Sequence, residues 1–402
     1  MKRRDFIKLA TGTAFSSLLP LKYSISHDHI DSYLNGKILV VLELSGGNDG
    51  LNTIVPYGDD LYYKHRPKIG IKENKLLKID DHFGFNPGIT GLEALYKEGH
   101  MAIIHGCGYD NPSFSHFTSM AYMHTAAPNS GEEYGWMGRL ADEMAPSSYK
   151  NFLINIDKTQ SLAVRAKKHV PIVFDQPQKF QREGFYKQKH ILEYNNNEKI
   201  IYNNAAQDFL NKISESANEA SSIISNAWSN YSRKVDYGLT SLDLDKIAAL
   251  IEARVPARLY YTSFRDNAFD THVHQSNLHQ RLLTYASDAI RGFFNDIKRI
   301  GKEDDVVLLV MTEFGRRIPE NTSLGTDHGS AGPMFVIGKT VKGGHYGKIP
   351  DLINGLDKGD NLKYTTDFRD VYATLIKNWL KVDSEKILRK NFQTFNMFDT
   401  TV

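Results

Sequence analysis

The chain has a single cysteine, Cys107, among 402 residues. That excludes an intrachain disulfide and any zinc site built on several thiolates. Charge of one sign is also scarce. The formal net charge is +2, and no block of lysine and arginine is interleaved with aromatics. The electrostatic footprint of a nucleic-acid-binding protein is therefore missing, and nucleic acid is not expected as a partner. The sequence holds no G-x-S-x-G elbow, no H-E-x-x-H, no Walker loop and no G-x-G-x-x-G. Serine esterases of the usual type, zincin proteases, P-loop NTPases and Rossmann dehydrogenases are thereby removed.

What remains is ordinary globular composition, 41% hydrophobic and 24% charged. A chain of this length can bury a large core without disulfides. Residues 1–29 read as a twin-arginine export signal. Arg3-Arg4-Asp5-Phe6-Ile7-Lys8 precedes a mild apolar stretch from Leu9 to Leu21. That stretch is too short and too rich in Thr, Ser and Gly to span a bilayer well. The expectation is export to the periplasm or cell surface by the twin-arginine machinery, with membrane contact only through this segment. No cysteine follows it, so no lipoprotein anchor is expected.

From residue 30 onward, apolar runs alternate with amphipathic ones. KILVVLEL (37–44), MAIIH (101–105) and DVVLLVM (305–311) read as buried strands, with weaker ones at 152–156, 171–174 and 334–337. Continuous rather than alternating apolar runs suit a parallel sheet covered on both faces. Helical spacing appears over 88–98, 276–298 and 367–380. The pattern predicts an α/β fold with a central, mostly parallel sheet, and a helix-rich insertion at about 180–255 as either a cap or a solvated pair.

In such sheets ligands sit beyond the carboxyl ends of the strands. There the sequence places Ser45-Gly46-Gly47-Asn48-Asp49-Gly50, then Asn111-Pro112-Ser113-Phe114-Ser115-His116. Further on come Asp270-Thr271-His272-Val273-His274, Glu313-Phe314-Gly315-Arg316 and Asp327-His328-Gly329. Carboxylates and imidazoles together suit zinc, calcium, magnesium or manganese. Ser115, at a helix start, is placed to act as a nucleophile, and Arg316 to clamp an anionic oxygen. Each residue also has a plain structural reading. Asn48-Asp49-Gly50 makes a good hairpin turn, Ser115 an N-cap, and Glu313 with Arg316 an ion pair.

LSGGNDGLNTIVPY, NPSFSHFTSM, FDTHVHQ, TEFGRR, GTDHG and TTDFRDVYATLI occur in that order. Together with the leader they resemble a bacterial exported family known only as a domain of unknown function, grouped with the alkaline phosphatase/sulfatase superfamily. The resemblance implies an alkaline-phosphatase-like three-layer α/β/α sandwich carrying metal ligands at the strand ends. It implies metal-binding roles for Asp49, Asp270, His272 or His274, Glu313, and His328 with Asp327 beside it, and a nucleophile at Ser115. The chain departs from the superfamily in two places. Glu313-Phe314 stands where Asp-His is usual, and Ser115 lies outside the C/S-x-P-x-R pattern of sulfatases. The implied activity is metal-dependent hydrolysis of a phosphate or related anionic ester. The alternative is a non-catalytic exported protein that binds polysaccharide.

Overall fold

The computed structural model describes residues 36–146, 149, 151–180, 220–357 and 359–398. The twin-arginine segment and residues 181–219 of the expected insertion lie outside them. The main sheet consists of β1 (Ile38–Leu44), β2 (Met101–Gly108), β3 (Leu153–Ile156), β4 (Ile172–Phe174), β5 (Leu259–Phe264), β6 (Val306–Met311), β7 (Gly332–Ile337), β8 (Gly344–Tyr346) and β9 (Thr366–Asp367). Their order is β8-β2-β7-β6-β1-β5-β3-β4, with β9 also pairing β2. β7 alone runs antiparallel to its neighbours, and every other pairing is parallel.

Helices cover both faces. They are α1 (Asp60–His65), α2 (Thr90–Lys97), α3 (His116–Thr125), α4 (Trp136–Met144), α5 (Leu244–Glu252), α6 (Gln275–Ile300), α7 (Phe368–Thr374) and α8 (Ser384–Leu388). Side chains alternate along a strand, so β1 feeds two cores. Ile38, Val40, Leu42 and Leu44 join a cluster with Leu283, Ala286, Ile290 and Phe293 of α6. On the sheet's opposite side, Tyr372 of α7 reaches Met311 of β6 through its hydroxyl, and His124 of α3 bonds Glu43 of β1. The result is a three-layer α/β/α sandwich. Each aliphatic side chain fully buried in β1 contributes roughly 1.5–3 kcal/mol.

The spacing of α6 explains its length. Leu282, Leu283, Ala286, Ala289, Ile290, Phe293 and Ile297 are buried on one side of it. Gly301, in the left-handed region, ends the helix, as glycine does where a Cβ would be penalised. α7 starts on Asp367, whose carboxylate accepts from the Arg369 N–H, and its last turn opens into a π turn over Leu375–Trp379. The described part of the 180–255 stretch belongs to the main body. Ile224 and Ala227, in helical residues 220–230, and Ile247 and Leu250 of α5 enter the same core as α6. Among the described residues, no helix is long and apolar enough to cross a membrane.

Candidate metal centre

β1, β2, β5 and β6 are mutually parallel, so their carboxyl ends open on one edge of the sheet, and the motif loops meet there. Two glycines make the meeting possible. Gly46 has φ +114°, and a Cβ on it would lie 2.5 Å from the backbone N of Asp270. Gly47 has φ +74°, and a Cβ there would lie 2.4 Å from the Phe314 ring. Only glycine permits both the backbone conformation and the approach. The turn between β6 and β7 doubles back through an isolated bridge between Arg316 and His328. That bridge carries His328 to the loop after β5.

Three side chains converge, with a fourth, His272, at their edge. His116, the first residue of α3, places Nε2 3.4 Å from Asp270 Oδ2. His272 Nε2 lies 3.0 Å and His328 Nε2 3.2 Å from Asp270 Oδ1. The two histidine Nε2 atoms are 2.9 Å apart. Ligand atoms of His116, Asp270 and His328 all lie within 4.8 Å of one another. Behind each imidazole stands an acceptor. His116 Nδ1 donates to Glu313 Oε1 at 2.7 Å, and His328 Nδ1 to the Phe114 carbonyl at 2.7 Å. His272 Nδ1 faces Asp327 Oδ1 at 3.4 Å. With Nδ1 protonated in this way, the Nε2 atoms of His116 and His328 present lone pairs toward Asp270 and one another, and that of His272 toward Asp270 and His328. The Nε2 of His116 is buried and makes no hydrogen bond. An electron-rich cage of this kind fits a cation, and acceptors behind the ligands are the usual way to fix the tautomer.

Electrostatics follow from these contacts. The Glu313 hydrogen bond lifts the pKa of His116 above the usual histidine value. Burial alone would raise Asp270, but the Arg316 guanidinium beside it brings the net shift down. Burial lowers His328. Asp327 is held below the usual carboxylate range, first by its hydrogen bond from Asn321.

Several residues occupy places other than those expected from sequence. Asp49 is fully buried and lies outside the cluster. Its Oδ2 accepts from Arg66 Nη1 at 2.6 Å and from Gln275 Nε2. Gln275 in turn accepts from Thr271 and Thr326, on the loops that carry Asp270 and His328. Asp49 thus braces the site loops from beneath. Arg316 is 2% exposed. Its Nε donates to Gly47 O and its Nη1 to Thr326 O, while Nη2 serves Gly46 O, Phe269 O and Asp270. With every nitrogen engaged by the protein, Arg316 locks the loops together and has no face left for an exogenous anion.

Glu313 is 1% exposed and accepts from Gly46 N, Thr312 Oγ1 and His116. It stands behind the His116 ring rather than in the cluster itself. His274 is exposed two residues past His272, at the left-handed N-cap of α6. Ser115 is exposed at the N-cap of α3, and its hydroxyl makes no capping bond. His116 is the member that sequence reasoning passed over. It follows Ser115 in the same S-F-S-H motif at the same helix start, which was the available signal.

No curated protein sequence matches the chain. Among solved structures it is similar to an alkaline phosphatase superfamily protein from Vibrio parahaemolyticus, at 12% identity and TM-score 0.41, over 89% of this chain and 70% of that one. It is also similar to the C-terminal periplasmic domain of EptC from Escherichia coli in complex with Zn, at 11% identity and TM-score 0.36, over 76% and 74%. A third neighbour is the lipoteichoic acid synthase LtaP from Listeria monocytogenes, at 12% identity and TM-score 0.36, over 83% and 75%. The family model described as "Protein of unknown function (DUF1501)" matches residues 36–394, and the chain belongs to that family.

Proposed function

We propose that the protein is an exported, metal-dependent hydrolase of phosphate or related anionic esters. One observation carries the reading: the imidazoles of His116 and His328 and the Asp270 carboxylate bring ligand atoms within 4.8 Å of one another, with His272 Nε2 beside Asp270 and His328, while the far nitrogens of the rings face protein acceptors. His116, Asp270 and His328 would hold the ion, with His272 at its edge. Two nitrogens and one oxygen favour zinc over calcium or magnesium, which prefer all-oxygen shells. When bound, such an ion polarises an ester oxygen and lowers the pKa of a coordinated hydroxyl or water.

The chain's own groups supply the rest. Glu313, Asp327 and the Phe114 carbonyl keep the three rings in one tautomer. Arg316 fixes Asp270 and the glycine loop. Ser115, with a free hydroxyl at the amino end of a ten-residue helix, is the nucleophile beside His116, and the helix N–H groups favour an anion there. The arginine pair in the first residues supports delivery by the twin-arginine pathway to the periplasm or cell surface.

The test is to purify the exported protein and measure its metal content. Aryl phosphates, phosphodiesters and sulfates are then screened with and without chelator. Bound zinc, and turnover that falls at least 100-fold on chelation and in Ser115→Ala, is the expected result. Absence of bound metal in the wild type overturns the proposal. Bound metal without turnover, together with retention on polysaccharide, assigns the fold to binding instead.

A further inference from the structure

The helix that begins with His116 ends near a second cluster. Eight residues on, about 12 Å along the helix axis, His124 is buried against Glu43 of β1. His124 Nε2 lies 2.6 Å from Glu43 Oε2, and the Tyr261 hydroxyl bonds the same carboxylate and approaches His124 Nε2 at 2.8 Å. On the other side of the ring, His124 Nδ1 faces Ser161 Oγ at 3.4 Å. Glu43 is 1% exposed, a carboxylate placed in an otherwise apolar strand. A buried charge of this kind is costly unless paired, and its partners here are an imidazole and a phenol rather than a guanidinium.

The protonation pattern follows from the contacts. Glu43 accepts both the His124 Nε2–H and the Tyr261 O–H. Nδ1 is then left with its lone pair toward Ser161. The Ser161 oxygen already accepts from the Ala163 N–H, and its own proton has two acceptors in reach, His124 Nδ1 and the Tyr261 oxygen. These groups line a cleft of about 510 Å³, beside Lys158 and the ring of Phe117, which is 89% exposed. That volume lies within the usual range for a small-molecule site.

We propose that Ser161, His124 and Glu43 form a second, metal-independent nucleophilic centre, acting on carboxylic esters whose apolar part rests against Phe117. Ser161 Oγ bonds to the carbonyl carbon while its proton passes to His124 Nδ1. The tetrahedral oxyanion collapses, the bond to the alcohol oxygen breaks, and that oxygen takes the proton from Nδ1. Water then adds to the acyl-serine and gives a proton to Nδ1. The acid departs as Ser161 Oγ recovers that proton. Lys158, on the rim of the cleft, is the cation available to the oxyanion. Glu43 is a positioning residue that fixes the tautomer, a role the general logic of such triads requires. The arrangement sits on a strand-to-3₁₀ connection, not on a G-x-S-x-G elbow, so motif search passes it by.

The experiment is to treat the full-length protein with a fluorophosphonate probe, with and without chelator, and to locate the adduct by peptide mass spectrometry. The expected adduct is on Ser161, forms equally in chelator, and falls at least 100-fold in Ser161→Ala. In Glu43→Gln the labelling rate should fall by about 100-fold or more, with its pH dependence displaced. Hydrolysis of p-nitrophenyl acetate should follow the labelling. An adduct on Ser115, labelling abolished by chelator, or no adduct on Ser161 in the wild type overturns the proposal. The wild-type adduct site decides the matter even if a variant folds poorly. Failure here leaves the metal centre untouched, because that centre is read by metal content.

Discussion

Two sets of polar groups lie one above the other at the carboxyl edge of the sheet. Each contains an aspartate paired with a guanidinium and close to imidazole. In the lower set, Asp49, Arg66, Gln275 and His279 are all at most 1% exposed. Arg66 Nη1 is spent on Asp49 and Asn52, its Nε on Ile318 O, and its Nη2 on Arg317 O. In the upper set, the Asp270 and His272 side chains are 31% and 36% exposed, and the imidazole lone pairs face one another. The difference lies in how the groups are shared out. The Asp49 carboxylate is tied to Arg66 and Gln275 through Oδ2, with only its Oδ1 lacking a partner, and this buried ion pair holds structure; the upper set turns several imidazole nitrogens toward one carboxylate, an arrangement that suits a cation. Motif membership does not separate the two sets. Where the spare donors and acceptors point does.

The sharpest way to break this comparison is Asp49→Ala. It strands the Arg66 guanidinium in the interior, and loss of one partner of a buried pair costs roughly 3–5 kcal/mol. Urea unfolding should show that loss, while metal bound per folded molecule stays near the wild-type value. The converse, stability kept and metal lost, would move Asp49 from the lower set to the upper.

Glu313→Gln probes the boundary between the sets. Glu313 holds the His116 ring through Nδ1, and outer partners of metal-ligating histidines are typically worth 10–100-fold in metal affinity. Chelator competition should show a weakening within that range, with the fold intact. Asp270→Ala, which removes a proposed ligand itself, should weaken binding further. If the two variants weaken binding equally, Glu313 belongs to the ligand shell.

The sheet was largely legible because β1, β2 and β6 are continuous aliphatic runs. β5 was not, since LYYTSF mixes aromatic and hydroxyl residues and has no uniform apolar run. β8 and β9 are two or three residues long and too short for any periodicity. At the site, the strand-end rule placed Asp270, His272 and His328 in one neighbourhood, and their side chains do lie within about 3 Å of one another. It said nothing of which partner each carboxylate meets. Asp49 is captured by Arg66, 17 residues away on the short helix α1 and its end, while Glu313 lies 197 residues from His116. Such pairings depend on how loops stack, and no local pattern encodes them. His116 was hidden behind its neighbour, because a serine at a helix start invites the nucleophile reading before the next residue is weighed.

The smallest expected effect concerns acid. His279, in the lower set, donates from Nε2 to Asn48 Oδ1 at 2.8 Å and is fully enclosed. Burial, only partly opposed by Asp49, pushes its pKa from 6.5 down to about 4. Between those values the unfolded chain binds the proton that the folded chain refuses. His279 therefore contributes stability that is present in full above pH 6.5 and is lost as pH falls through 4. In the metal-free protein, denaturant midpoints should decline over this window, and His279→Gln should flatten the decline while lowering the plateau by about 1–2 kcal/mol. An unchanged slope would mean that the ring already carries its proton in the fold. The lower set would then hold an added positive charge beside Arg66, and the division between a buried brace and the proposed cation site would have to be redrawn.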